Sequence, residues 1–232
     1  MPGAGARRAY NHRVEPDALE LPIFELPVVL LPGELLPLHI FEERYKRMVG
    51  HCVDGGEPFG IVLRDPEGGA RRIGCEARVT EVTERFDDGR MNIVVTGERP
   101  FRILDRFEAG EYPAGEVEVV GGGPDFDEGL AEDGAAGSRA RDAFADLVRR
   151  VGGDEVERAG LDALDSYGLA ARVELPIDTK QHLLELRSEG ERMKVLAAAL
   201  DALVAAVSRS REIAERAKMN GKLVIDPAPE AE

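Results

Sequence analysis

His39 is followed closely by Glu42 and Glu43, a histidine and two carboxylates near enough in sequence to share a metal ion or pass a proton. No H-E-x-x-H or paired C-x-x-C accompanies them, and His12, His51 and His182 stand alone. His39 is therefore read as closing the start of a helix or bonding to a neighbouring carbonyl, and no metal or other cofactor is expected. Cys52 falls on an apolar helical stripe and Cys75 in an alternating strand, so both are expected as buried, reduced thiols. The five serines, Ser138, Ser166, Ser188, Ser208 and Ser210, lie outside any G-x-S-x-G elbow and suit caps and helix surfaces. A phosphate loop needs G-x-x-x-x-G-K-[ST] so that backbone amides, lysine and hydroxyl converge on phosphates and magnesium. Gly221-Lys222 lacks both the preceding glycine and the hydroxyl. With 45 acidic residues, some close carboxylate pair is inevitable, so pairing in sequence carries no glycosidase signal. The acidic run Asp125, Asp127, Glu128, Glu132 and Asp133 lacks the central glycine and terminal glutamate of a calcium loop. Catalytic residues are not assigned, and the chain is not expected to be an enzyme.

The chain of 232 residues has a formal charge of -15, which opposes non-specific binding to phosphate backbones. Arg7 with Arg8 and Arg71 with Arg72 are the small basic groups outside the helices, and both are read as solvated surface. Apolar residues make up 43% of the chain and tryptophan is absent, so the core is expected to be aliphatic. The first residues contain no apolar h-region, and no apolar run reaches the roughly 18 residues of a membrane span. These features predict a soluble, cytoplasmic protein without a membrane partner. The sequence leaves the oligomeric state open.

Leu21 to Leu63 holds the strongest apolar patterning. Pro22, Pro27, Pro32 and Pro37 bias the entry toward extended backbone, with Val28 to Leu31 fit for a buried strand and Pro32-Gly33 for a turn. Phe41, Tyr45, Met48, Val49 and Cys52 then share a helical face, supported by Glu42–Lys46 and Glu43–Arg47 pairs and stopped by Gly55-Gly56. Phe59 to Leu63 reads as a strand. Ile73, Cys75, Ala77 and Val79 alternate with outward Gly74, Glu76, Arg78 and Thr80, and the phase slips near Thr80-Glu81 as a bulge would require. Asp87-Asp88-Gly89 is a hairpin signal, Met91 to Val95 the return strand, Gly97 to Pro100 a further turn, and Phe101 with Ile103 open another short strand. Tyr112 to Val120 closes the series. Short strands with one inserted helix favour a small β-barrel.

The second half is helical. Phe144, Leu147, Val148 and Val151 share a face ended by Gly152-Gly153, and Leu161, Leu164 and Leu169 suggest a second helix. Asp178 with Gln181 and Ser188 with Glu191 have capping-box spacing, the latter opening a long helix with Leu196, Leu200, Leu203, Val204, Val207 and Ile213 on its apolar face, ended by Gly221. The organisation predicted is a flexible tail (1–20), a β-barrel domain (21–120), an acidic Gly-rich linker (121–137), a helical domain (138–221) and a tail (222–232).

The ordered series PLHIFEERY, FGIVL, IGC and DGR…GERPFRIL, spread over Leu21 to Val120, resembles the amino-terminal substrate-binding domain of Lon proteases, a domain also known as a stand-alone protein. The resemblance implies an α+β fold: a PUA-like β pseudo-barrel with one inserted helix, then a helical bundle ending in a long helix. It also implies recognition of unfolded or specific protein segments, with delivery to a separate protease or chaperone. The family's ATPase and Ser–Lys protease parts have no counterpart in these residues, so a non-catalytic protein-binding module is expected. The peptide-binding candidates are Phe24, Leu35, Leu36 and Ile40, bulky residues of the Pro-rich entry that could hold an extended segment at a sheet edge or in a groove. Alternatives are an RNA-binding PUA-like protein, which the charge disfavours, and an unrecognised hydrolase, which would need a deep pocket of convergent titratable groups.

Overall fold

The structure is a computed structural model, and it describes residues 19–65, 69–120, 134–154 and 156–220. The chain divides into two compact units, Met1–Gly123 and Pro124–Glu232.

The first unit contains strands β1 (Leu19–Leu26), β2 (Leu35–Ile40), β3 (Phe59–Arg64), β4 (Ala70–Arg85), β5 (Met91–Ala109) and β6 (Tyr112–Val119), with helix α1 (Glu43–Gly55) between β2 and β3. Five strands close a ring: β5 pairs with β4, β4 with β3, β3 with β1, β1 with β6, and β6 returns to β5. The β1–β3 pair is parallel and the others are antiparallel. This is the expected α+β pseudo-barrel. Leu21, Ile23, Val62, Phe101, Ile103 and Val117 fill its interior. Strand β2 lies outside the ring, paired to β5 from Leu35↔Thr96 to Ile40↔Met91.

Several local expectations need correction. Glycine, proline and charge at Gly97–Pro100 suggested a turn, but β5 runs unbroken through them for 19 residues. They mark instead a change of neighbour: β2 pairs with the residues before them and β6 with those after. Val28 to Leu31 is buried from Val29 to Leu31 but is not a strand. Pro27 and Pro32 deny the segment two N–H donors, and its polar groups are met locally. Glu34 Oε2 accepts from the Leu31 N–H at 3.0 Å, and the Glu34 N–H donates to the Leu31 carbonyl at 3.0 Å. Gly74 to Ala77 is buried on both faces of β4, so Glu76, expected to face solvent, is 3% exposed and bonded to Arg99 at 2.7 Å. The bulge expected near Thr80-Glu81 is present as a register shift between Val79 and Glu81. The hairpin at Asp87-Asp88-Gly89 is also present, closed by the Phe86 N–H on the Arg90 carbonyl.

Helix α1 buries Tyr45, Met48, Val49 and Cys52, and Gly56 ends it in the left-handed region at φ 67°. Phe41 precedes the helix and is exposed, so it does not belong to the stripe. The expected i,i+4 pairs are replaced by Glu42–Arg44 at 3.0 Å, Glu43–Lys46 at 2.5 Å and a contact between Arg47 and Glu111.

The second unit contains α2 (Gly134–Val151), α3 (Arg158–Asp162), α4 (Ser166–Ala170), α5 (Ile177–Glu185) and α6 (Glu189–Asn220). Helix α2 packs along α6, with Ala140, Ala143, Phe144 and Leu147 buried. Val151, in phase with this face, is exposed at the last residue of α2. Leu161 to Leu169 forms two short helices rather than one, since Asp165 caps α4 through the Gly168 N–H at 2.7 Å. Asp178 does not cap α5, whose N-cap is Pro176, whereas Ser188 Oγ faces the Glu191 N–H at 3.5 Å. Ile213 on α6 is exposed. Ser166, Glu189 and Arg192 form a buried group: Ser166 Oγ donates to Glu189 at 2.7 Å, and Arg192 Nε meets both at 3.1 and 3.0 Å. Of the tail expected at 1–20, residues 1–18 lie outside the described residues and Leu19 and Glu20 open β1; most of the linker, the Gly221 terminator and the tail at 222–232 also lie outside them.

Candidate segment-binding surface

Period-2 geometry sorts the side chains of β2. Leu36 and Leu38 are half-buried and Ile40 is 1% exposed, directed toward the barrel. Leu35, Pro37, His39 and Phe41 alternate with them and are all exposed, Leu35 at 63% and Phe41 at 60%. They form one outward stripe about 20 Å long at the rise of an extended chain. His39 Nδ1 lies 2.6 Å from Asn92 Oδ1, and Asn92 Nδ2 donates to Glu84 at 2.9 Å, which leaves the Asn92 oxygen to accept from His39. His39 therefore neither caps α1 nor bonds to a backbone carbonyl. Its ring stacks on Phe41 with centroids 6.0 Å apart and meets the edge of Phe86 at 6.1 Å. The stripe thus continues from β2 to the β4–β5 hairpin.

Of the four sequence candidates, Leu35 is on this stripe and Leu36 is beside it, on the opposite face of the strand. Phe24 and Ile40 are interior. Phe24 is held between Tyr45 of α1 and Phe59 of β3, at centroid distances of 4.1 and 6.2 Å, and Ile40 faces inward opposite Met91. Sequence reasoning missed Pro37, His39 and Phe41. The signal was the alternation L-x-P-x-H-x-F, masked because Phe41 also falls in phase with the helix that follows.

Two surface clefts adjoin α1. One, of about 320 Å³, lies between α1 and the β4–β5 hairpin and is lined by Lys46, Arg47, Arg85 and Arg90 with Phe86 and Met91. This basic cluster is assembled from two distant segments, so no run of basic residues in the sequence marks it. By contrast, Arg71 and Arg72 hold the barrel together: Arg72 donates to the Leu104 carbonyl, and Arg106 donates to that of Arg71. The other cleft, of about 240 Å³, lies between the end of α1 and β4 from Arg78 to Val82. Arg78 fills part of it, bonded to Glu98 at 2.6 Å and to the Gly56 carbonyl at 2.5 Å.

Cys52 and Cys75 are buried free thiols. Burial pushes the Cys52 thiol up to about 11, with a smaller push from Glu57, and raises Cys75 further. Neither is poised as a nucleophile. Among the described residues, no three His, Cys, Asp or Glu side chains converge as metal ligands, and no helix is long and apolar enough to cross a membrane.

A pseudo-barrel of five ring strands with an inserted helix, an appended strand bearing an exposed apolar stripe, and a separate helical unit define an α+β domain of PUA-like build. Residues 20–202 match the family model of the ATP-dependent protease La (LON) substrate-binding domain, and the chain belongs to that family. Its fold is similar to the crystal structure of a Lon N-terminal domain protein from Xanthomonas campestris, with 26% identity and a TM-score of 0.57 over 78% of this chain and 98% of that one. The N-terminal domain of the Mycobacterium avium complex Lon protease is similar in fold, with 20% identity and a TM-score of 0.62 over 79% and 98% of the two chains.

Proposed function

We propose that this protein is a non-catalytic module that binds exposed apolar segments of other proteins along the outward stripe of β2. The observation that carries the reading is the alternation of exposed Leu35, Pro37 and His39 on a strand attached to the sheet by one edge, continued by exposed Phe41 just past its end. Large apolar side chains left in water favour an apolar partner, at about 25 cal/mol per Å² removed from solvent. Family membership supports the same reading, because the family is defined by substrate binding.

Pro37 sets the mode. A proline in a paired strand keeps its missing N–H on the unpaired side, so the free edge of β2 lacks a donor at its middle. Recognition therefore rests on side chains more than on an added strand. Among the four candidates, Leu35 contacts the segment, while Leu36, on the other face of β2, supports the strand together with Phe24 and Ile40.

Calorimetric titration with a permanently unfolded model protein tests this. Binding is expected for the wild type and should weaken about tenfold or more in the double variant Leu35→Ser/Phe41→Ser, as loss of two exposed anchors implies. Heat indistinguishable from dilution with the wild type, or unchanged affinity in a folded double variant, would overturn it.

A further inference from the structure

We infer that the cleft between α1 and the β4–β5 hairpin binds the carboxylates of an acidic protein segment whose apolar residues lie along β2. The inference rests on the segment-binding reading above and names the class of segment. The chain carries a net charge of -15, yet this cleft presents Lys46, Arg47, Arg85 and Arg90 against the carboxylates of Glu43 and Asp88. Both carboxylates are paired with cations of the cleft and Arg47 with Glu111, so Arg85 is the cation on which the inference rests. Asp88 accepts from the Arg90 backbone N–H at 3.1 Å and from Arg90 Nε at 2.7 Å, and Glu43 pairs with Lys46 at 2.5 Å. The Arg85 guanidinium has no hydrogen bond or ion pair among the described residues, so its forked donors are open to a ligand. Arg90 lies over the Phe86 ring at 5.0 Å, which fixes its plane beside the cleft.

Continuity identifies the ligand as a protein segment. Phe86 lines the cleft and also meets His39, which stacks on Phe41, so the basic cleft and the apolar stripe share a wall. An extended chain leaving the stripe at Phe41 reaches Arg85 and Arg90 next. A short acidic segment feels mainly this local field, whereas a longer polyanion also meets the repulsion of the whole chain. Nucleic acid would require cations continued along its path, and the path here is Leu35, Pro37 and Phe41.

Fluorescence anisotropy on the full chain tests the assignment with short dye-labelled peptides: apolar at one end and Asp/Glu-rich at the other, an Asn/Gln twin, and the apolar half alone. A single-stranded RNA oligonucleotide completes the set. The acidic peptide should bind about fivefold to tenfold more tightly than its amide twin at low salt, an advantage that shrinks as salt rises. Arg85→Glu should bring the two peptides to within about twofold, since an exposed attraction becomes a repulsion. Arg149→Glu on α2, remote in sequence from the cleft, should leave the preference unchanged. Equal binding of the acidic and amide peptides, or a preference that survives in folded Arg85→Glu, would overturn the cleft assignment and leave the β2 reading standing. RNA binding tighter than that of the acidic peptide would replace the assignment with a nucleic-acid site. Failure of every peptide, including the apolar half, would remove both readings.

Discussion

Replacing Gly97 by alanine should unseat β2 from the barrel. A Cβ at this position would lie 2.1 Å from the Leu31 carbonyl oxygen and 2.8 Å from its carbon, well inside any tolerated approach. Both obstacles are backbone, so no side-chain rotation relieves them. The turn from Leu31 to Glu34 must move by about 1 Å or more. It is held to β5 by two hydrogen bonds, Gly33 N–H to the Gly97 carbonyl at 2.8 Å and Gly97 N–H to the Glu34 carbonyl at 3.0 Å. Losing both costs about 2 kcal/mol, and loosening the buried Leu30 and Leu31 adds about 1–3 kcal/mol. The total, about 3–5 kcal/mol, is a large part of the stability of a domain this size. At about 4–8 °C per kcal/mol, the transition of the first unit should fall by roughly 12–40 °C. Differential scanning calorimetry reads this directly, and hydrogen exchange should show β2 amides losing protection before those of β3 and β4. A shift under about 3 °C, with β2 protection intact, would refute the argument that Gly97 is fixed by close backbone approach.

Three further outcomes are expected. Gly50→Ala on α1, where a new Cβ meets nothing within 4 Å, should stabilise the first unit by about 0.5–1 kcal/mol in urea unfolding; a loss would contradict the open space seen there. Arg192→Ala should cost the helical unit about 3–5 kcal/mol by leaving Glu189 buried without its cation, and a cost below about 1 kcal/mol in the same assay would show the group to be solvated. Both thiols should resist a thiol-reactive dye near neutral pH until denaturant is added. Because burial raises Cys52 from an ordinary 9.0 to about 11, its contribution is complete below about pH 9 and is lost as pH rises through 11. Cys52→Ala should therefore flatten the fall of the urea midpoint across that window, and an unchanged slope would count against it.

The ring strands were legible because their signals are local: β-branched runs, the Asp-Asp-Gly turn and the phase slip at Thr80-Glu81 each report on neighbouring residues. The failures occur where a distant segment decides. Gly97 to Pro100 has the composition of a turn, but the close packing of Leu31 and the change of partner from β2 to β6 keep it extended. Glu76 looks like an outward residue until Arg99 is placed beside it. The candidate surface was half legible for the same reason. Leu35 and Leu36 stand out in the proline-rich entry, whereas Phe41 fits two periods at once, and only the start of α1 at Glu43 leaves it outside the helix. The basic cleft could not be read from runs of like charge, since Lys46 and Arg47 come from α1 and Arg85 and Arg90 from a hairpin almost forty residues later.

The position of β2 explains why an exposed apolar stripe persists there. A barrel that closes on itself leaves few strand edges, and here β5, β4, β3, β1 and β6 complete the ring without β2. Strand β2 lies on the part of β5 that β6 leaves uncovered, so its inward residues help shield the core while its outward residues contribute nothing to closure. Stability alone would let that outward face be polar, at no cost to the interior. Leucine at 35 and phenylalanine at 41 instead keep apolar surface in water, on a strand whose free edge Pro37 protects from indiscriminate pairing. The combination of a blunted edge and an apolar face fits the side-chain recognition proposed above and opposes self-association through the ladder. It predicts that Pro37→Thr, which restores the missing donor, should raise the tendency of the protein to self-associate in sedimentation velocity runs while leaving the thermal transition within a few degrees of wild type. A variant that stays in the wild-type association state at high concentration would show that the proline is not what guards this edge.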